Sequence, residues 1–340
     1  MQRAVYAIFG LFAAILLLGL LLPRFVRVEL DTTADAPPSV VFAQAESLER
    51  MALWAPFDED DSTARVAFAE PARGEGASVS WNGTVVGSGS LQIVESIPYQ
   101  YVSYLLNPGE PGEAVSWIEL EANPNGTRIV RGFEHDYGYN LVGRYFGLLW
   151  RGVLERDYGQ SLERLKSLVE SLPRTDFAGL DVDERTVEAR EIVYSSTSAE
   201  PGADAVSAAL GQAYLRILAS LGGMGLRESG APLAVLRGYD GSKRLFDAAI
   251  PVRGVTPATT VAAGAGVELG KTYAGRTVVA RHVGAYEGLS ETHHQLRAYL
   301  AAYGLKRNGM PWEVYLSDPG KTPEAELITE IYYPVSLTLN

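Results

Sequence analysis

The second half of this 340-residue chain repeats itself, and a repeat constrains fold more than any single motif does. Gly225-Leu226-Arg227 recurs 79 positions later as Gly304-Leu305-Lys306, and Gly230 and Pro232 recur at the same offset as Gly309 and Pro311. Leu210 and Leu221 fall on Leu289 and Leu300 in the same way. Ile250-Pro251-Val252 matches Tyr333-Pro334-Val335 at an offset of 83, so the second copy holds four extra residues, placed in the loop around Asp318 to Pro323. Each copy reads strand, helix, strand, strand. In the second copy these are Arg276–Val283, Ser290–Tyr303, Trp312–Leu316 and Leu327–Tyr333. Two such β-α-β-β units, about 185–253 and 272–337, predict a pseudo-symmetric sheet with both helices on one side. The concave face between the copies is then the natural ligand position.

Strand alternation picks out candidate site residues. Glu330 shares a strand face with Ile328 and Tyr332, and Glu313 shares one with Tyr315. Carboxylates flanked by rings are disfavoured in a plain core. They suit a cavity that takes an organic cation by charge pairing and cation–π contact. An exposed strand face is the plain alternative for both acids. Tyr286 follows Gly284-Ala285 and either points into the pocket or caps the helix. Trp312 opens the Glu313 strand and completes the expected ligand-binding set of Glu330, Glu313, Tyr315, Tyr332, Tyr286 and Trp312.

This half, about 181–340, resembles the gyrase-inhibitor-like, AraC-type effector-binding domain. The resemblance rests on His282-Val283-Gly284-Ala285-Tyr286-Glu287, Tyr315-Leu316-Ser317-Asp318-Pro319 and Thr329-Glu330-Ile331-Tyr332-Tyr333-Pro334-Val335. It implies a small-molecule pocket lined by aromatics, with a buried carboxylate that pairs with cationic ligands. It also implies that some relatives hydrolyse reactive small molecules with a pocket tyrosine and glutamate. Family members in regulators carry a DNA-binding segment before this domain, and this chain does not.

The first soluble region, 25–175, opens with the strand-like Phe25–Leu30 and the breaker Pro37-Pro38, followed by short helices over Val40 to Leu53. Asn82-Gly83 and Asn125-Gly126 mark hairpins, and both Asn-Gly-Thr triplets also fit a glycosylation sequon that the turn reading makes unnecessary. Tyr99–Leu106 makes another strand. A long amphipathic helix from about Arg144 to Leu172 closes the region, with Leu148, Leu149, Val153, Leu162, Leu165 and Val169 on its apolar face. Trp54-Ala55-Pro56-Phe57, Val79-Ser80-Trp81, Val86-Gly87-Ser88-Gly89 and Gly126-Thr127 stand in the order of the polyketide-cyclase/START-like (SRPBCC) superfamily, which the region resembles. That resemblance implies a sheet curled round a helix, a hydrophobic cavity and often no catalysis. Trp54, Trp81 and Trp117 are expected as core packing ahead of ligand contact.

From Ala4 to Leu22 no residue is charged, which reads as a transmembrane anchor over 1–24. A cleaved signal is the competitor, but Leu22-Pro23-Arg24-Phe25 is a poor cleavage site. The expected location is the inner or cytoplasmic membrane, single-pass. Arg3 before the span and Arg24 and Arg27 after it nearly balance, and an N-terminal anchor commonly exports the rest of its chain, so the body is expected outside the cytoplasm. The expected fold class is therefore α+β: an N-terminal transmembrane helix, a helix-grip domain, and a duplicated β-α-β-β effector-binding domain.

The remaining signals narrow function. A hydrophobic fraction of 47% fills two cores, and a net charge of −12 with a pI near 4.9 disfavours nucleic acid as a partner. The absence of cysteine excludes disulfides, thiolate metal sites and cysteine nucleophiles. Asp58-Glu59-Asp60-Asp61 reads as a solvated loop rather than a cation site. Gly264 and Gly266 stand at the wrong spacing from Gly270-Lys271-Thr272 for a phosphate loop, and Ala262–Gly266 reads as a linker. His293 and His294 point about 100° apart on a helix and read as surface residues. No metal or other cofactor is expected. The chain reads as a membrane-anchored, noncatalytic binder of hydrophobic or cationic small molecules. A C-terminal hydrolase using Glu330, Glu313 and Tyr286 is one alternative, and an envelope structural or assembly protein is another.

Overall fold

The computed structural model describes Gly10 and residues 17–57, 61–107 and 113–336, which fall into two compact units, 1–178 and 179–340. The first unit is a single antiparallel sheet around one long helix. Its strands are β1 (Phe25–Ala34), β2 (Arg65–Ala69), β3 (Ser78–Gly83), β4 (Gly87–Ile97), β5 (Tyr101–Leu106), β6 (Ala114–Asn123) and β7 (Gly126–Asp136). They pair in the order β1-β7-β6-β5-β4-β3-β2. The helices are α1 (Pro38–Ala45), α2 (Leu48–Met51) and α3 (Leu141–Glu170). Pro38 sits in the first turn of α1, where its missing N–H costs nothing. Ser47 caps α2 by accepting from the Arg50 N–H. Ile93, Ile118 and Ile129 of the sheet are buried, as are Val40, Val41 and Trp54 near α1 and α2 and Leu165 and Val169 of α3.

Both hairpin turns sit slightly away from their Asn-Gly marks. Asn82 and Gly83 remain in the ladder, paired with Ser88 and Gly87, and residues 84–86 form the tip. Asp61 fixes that tip by accepting from the Val85 and Val86 N–H groups at 2.7 and 3.0 Å. In the second hairpin the turn is Pro124-Asn125, between paired Asn123 and Gly126. Gly126 has φ +119°, and a Cβ there would lie 2.1 Å from the Ala34 carbonyl oxygen.

The second unit is a ten-stranded antiparallel sheet. Its strands are β8 (Asp181–Val187), β9 (Glu191–Ala199), β10 (Arg227–Glu228), β11 (Leu233–Tyr239), β12 (Arg244–Arg253), β13 (Glu268–Lys271), β14 (Gly275–Val283), β15 (Lys306–Arg307), β16 (Trp312–Tyr315) and β17 (Ile328–Ser336). The order is β13-β9-β12-β11-β16-β17-β14-β8, with β10 on β12 and β15 on β17. Helices α4 (Ala203–Met224) and α5 (Leu289–Ala302) follow β9 and β14. The repeated Gly-Leu pair ends both helices. Gly225 and Gly304 take φ of 69° and 68°, and the Leu226 and Leu305 N–H groups reach back to Leu221 and Leu300 carbonyls at 3.0 and 2.8 Å. A left-handed residue is needed there, and glycine adopts it without steric cost. Leu210, Ala213, Ile217 and Leu221 of α4 pack on Val193, Phe246, Ala248 and Ile250.

The expected fold class needs correction. The chain is built of two large antiparallel sheets with helices, and among the described residues no helix is long and apolar enough to cross a membrane. Of the Ala4–Leu22 stretch, residues 4–9 and 11–16 lie outside the described residues. Residues 17–21 form one short helix, whose end is bound by Arg144: its Nη1 donates to the Gly19, Leu20 and Leu22 carbonyls at 3.2–3.4 Å. The long helix α3 carries Arg144, Arg151, Glu155, Arg156 and Asp157 within four turns, which rules it out as a span.

Candidate ligand site

A cavity of about 1000 Å³ opens in the second unit on the helix-covered side of the sheet. Residues from α4, α5, β11, β12 and β16 line it. Glu313 lies on its floor with its side chain only 10% exposed. The carboxylate is held from two sides: Tyr315 Oη donates to Oε2 at 2.5 Å, and His293 Nε2 lies 2.8 Å from Oε1. His293 Nδ1 in turn lies 2.9 Å from Tyr333 Oη. A continuous chain of hydrogen bonds thus runs Tyr333–His293–Glu313–Tyr315, a polar network of the kind a buried charge requires.

Aromatic rings complete the walls. Tyr286 meets Tyr315 edge to face at 5.6 Å, and Tyr214 and Phe246 also line the cavity. Tyr214 is anchored by donating to the Leu233 carbonyl at 3.0 Å. Burial, and next the charge of Glu313, hold the Tyr214 and Tyr315 phenols well above the usual tyrosine range. For Tyr286 burial is again the main cause, followed by Asp318 and Glu313. These hydroxyls stay protonated, and those of Tyr214 and Tyr315 donate to the Leu233 carbonyl and to Glu313. At the rim stand exposed Arg244, Arg297 and Arg307, while Arg237 is paired with Asp247 at 2.5 Å.

Three of the six expected ligand residues meet here: Glu313, Tyr315 and Tyr286. The other three gather on the opposite sheet face. Trp312 stacks on Tyr332 at 4.7 Å and 11°, and the Arg185 Nη2 donates to Glu330 Oε2 at 3.0 Å and to Tyr332 Oη at 2.7 Å. That Glu330 carboxylate already has its cation. His293 is the reverse case: it reads as a surface residue in the sequence and is 8% exposed in the fold. Its neighbours one turn away on α5, Leu289 and Leu296, are buried too, so the helical stripe was the signal that could have found it. Tyr214 lies on the matching stripe of α4, between buried Leu210 and Ile217, and was open to the same signal; Phe246 and Tyr333 had no comparable mark. Among the described residues no cluster of His, Cys, Asp and Glu could hold a metal.

Comparison with known families agrees with this two-unit layout. Residues 26–170 match the family described as polyketide cyclase / dehydrase and lipid transport, and residues 180–336 match the GyrI-like small molecule binding domain. The chain joins an SRPBCC-like domain to a GyrI-like domain. No curated protein matches it. Among solved structures, the EcmrR C-terminal domain is 15% identical with a TM-score of 0.37, covering 46% of this chain and 98% of that one. A hydrolase from Listeria innocua is 19% identical with a TM-score of 0.34, covering 46% and 91%. Protein MLL2253 from Mesorhizobium loti is 16% identical with a TM-score of 0.32, covering 44% and 98%. Likenesses this distant decide nothing about ligand or activity in the present chain. The GyrI-like domain is a small-molecule-binding type, and the cavity just described lies within it.

Proposed function

We propose that the GyrI-like domain binds a small organic molecule with an apolar or aromatic body and a cationic end, without turning it over. One observation carries the reading: a single carboxylate, Glu313, sits on the floor of a 1000 Å³ cavity among tyrosine rings. A carboxylate has about four acceptor positions, and His293 and Tyr315 occupy one on each oxygen, which leaves acceptor capacity for a ligand. The rings of Tyr286, Tyr315 and Tyr214 supply the faces that stabilise a cation once water is displaced. Both the arginines and the acids Glu287 and Asp318 stand exposed around the cavity, so the orienting charge in this reading is the buried Glu313.

The test is calorimetric titration of the full chain with benzyltrimethylammonium and with its neutral isostere, neopentylbenzene. The cation should bind about ten-fold or more tightly, and Glu313→Gln should remove that preference. Glu330→Gln, on the other sheet face, should leave it intact. Equal binding of the two compounds, or a preference that survives Glu313→Gln, refutes the assignment.

A hydrolase is the second reading, and the His293–Glu313 contact is what favours it. A general base needs a free lone pair aimed at a substrate water. The acceptor positions of Glu313 that His293 and Tyr315 leave open suit a ligand cation and a substrate water alike, and the assay separates the two readings. Hydrolysis of p-nitrophenyl acetate by the intact protein that is lost in both His293→Ala and Glu313→Gln would establish the second reading over the first.

A further inference from the structure

The SRPBCC-like domain holds a smaller cavity, about 310 Å³, whose chemistry is the opposite of the first. Phe57, Trp81, Leu91, Leu106 and Phe133 give it apolar walls, with Phe57 and Trp81 stacked at 5.5 Å. In its lining lies Arg131, on β7 next to the edge strand β1, paired across to Leu30 on one side and Ile118 on the other. The guanidinium is wedged over two rings, 4.0 Å from the Tyr158 centroid and 4.9 Å from that of Trp54, and its Nη1 donates to Ser161 Oγ. Tyr158 Oη donates to Ser116 Oγ at 3.1 Å, which fixes the ring beneath the cation. None of these neighbours is negative. The other charged groups of the lining, Asp157 and Arg164, are exposed on α3 at the rim.

Arginine stays charged in proteins, and a charge drawn into the interior normally has a counter-charge; half-buried Arg131 finds none among the contacts just given. Burial pushes this guanidinium below the usual arginine range, against the contrary pull of Tyr158 and Tyr104. Two rings and a serine hydroxyl leave most of the five N–H donors without an anionic acceptor. A guanidinium presents those donors as a planar fork that matches a carboxylate. We infer that this cavity is a binding site for a small amphipathic carboxylate, with Arg131 as its counter-ion and the Phe57–Trp81 side enclosing its apolar tail. A volume of 310 Å³ sets the size at a short chain or a single ring system rather than a two-chain lipid. This site lies in the other domain and stands independently of the Glu313 reading.

The test uses the full chain and a pair of probes equal in shape and different in charge, octanoate and octan-1-ol. Trp81 fluorescence and calorimetry should show octanoate binding about ten-fold or more tightly than octanol. Arg131→Gln should remove that difference by weakening octanoate alone, and Arg131→Lys should keep part of it. Because the wild-type comparison needs no variant, failure of Arg131→Gln to fold leaves the test intact. Equal affinity for the two probes, no binding of either, or an octanoate preference that persists in folded Arg131→Gln overturns the inference. In that outcome Arg131 is a structural cation held by its two rings, and any octanoate site lies elsewhere.

Discussion

The Tyr333–His293–Glu313–Tyr315 chain predicts a measurable coupling between Glu313 and Tyr315. Glu313→Ala strips the acceptor from two donors at once, the Tyr315 hydroxyl and His293 Nε2, on residues 9% and 8% exposed. An orphaned buried donor costs about 1–3 kcal/mol. The cavity adjoins both groups and admits water, so the low end applies, and the variant should lose about 2–4 kcal/mol. Tyr315→Phe removes a donor and leaves the carboxylate with His293, costing about 1–2 kcal/mol. In the double variant no Tyr315 hydroxyl remains to be orphaned. Its loss should therefore fall short of the sum of the singles by about 1–2 kcal/mol. Urea unfolding followed by fluorine NMR of 5-fluorotryptophan-labelled protein reads this domain separately, because Trp312 alone of the five tryptophans lies in it. Trp312 faces away from the cavity, so its resonance reports unfolding rather than the substitution itself. Additive losses, within about 0.5 kcal/mol, would refute the proposed network.

Two further predictions concern the first domain. The Asp61 carboxylate is held well below the usual range by hydrogen bonds, first from Thr63 and then from the Val86 and Val85 N–H groups. Its contribution is therefore fully present above the unfolded value of about 3.9 and is lost as pH falls through the lower folded value; Asp61→Ala should lower the melting temperature at pH 7, by a margin that narrows below about pH 4, and a margin constant with pH would be the contrary result. A Cβ at Gly132 would lie 2.0 Å from Trp117 Cε2 and Cζ2. Gly132→Ala should cost about 1–3 kcal/mol as the half-buried ring swings out, with a shifted Trp117 fluorine resonance; an unmoved resonance would show that the ring does not lie over the strand.

How much of this could be read beforehand depends on the kind of signal. The Gly-Leu repeat was readable because Gly225 and Gly304 occupy backbone positions that penalise any other residue, so the chemistry is written in the letters. Strand alternation separated Glu313 from Trp312 and Glu330 from Tyr333, but it is blind to which face the helices cover. Both faces of β16 and β17 carry aromatics, so Glu330 among Tyr332 and Trp312 looked as pocket-like as Glu313 beside Tyr315. Arg185, which pairs with Glu330, comes from β8, two strands away in the sheet and 145 positions away in sequence. No local pattern connects them. The hairpin tips moved for a similar reason: Asp61, far from Asn82-Gly83 in sequence, holds the Val85 and Val86 amides and sets where the turn falls.

The duplication also explains why the larger cavity has one polar end. At the 79-residue offset Glu313 corresponds to Ala234, Tyr315 to Leu236, His293 to Tyr214 and Tyr286 to Ser207, and every one of these lines the cavity. β11 and β16 pair symmetrically, Leu233 with Val314, Ala234 with Glu313 and Val235 with Trp312, so the approximate two-fold passes between Ala234 and Glu313. The frame is two-fold, but the buried carboxylate comes from the second copy alone. A carboxylate at position 234 as well would set two acids directly opposite each other, with Cβ atoms about 5 Å apart. Like charges that close drive one group to bind a proton, and the floor would lose its single anionic point. The alanine leaves Glu313 without an acid opposite it and within reach of its two donors, and under the proposed reading a ligand with one cationic end would take a single orientation in a pocket whose backbone would otherwise offer two.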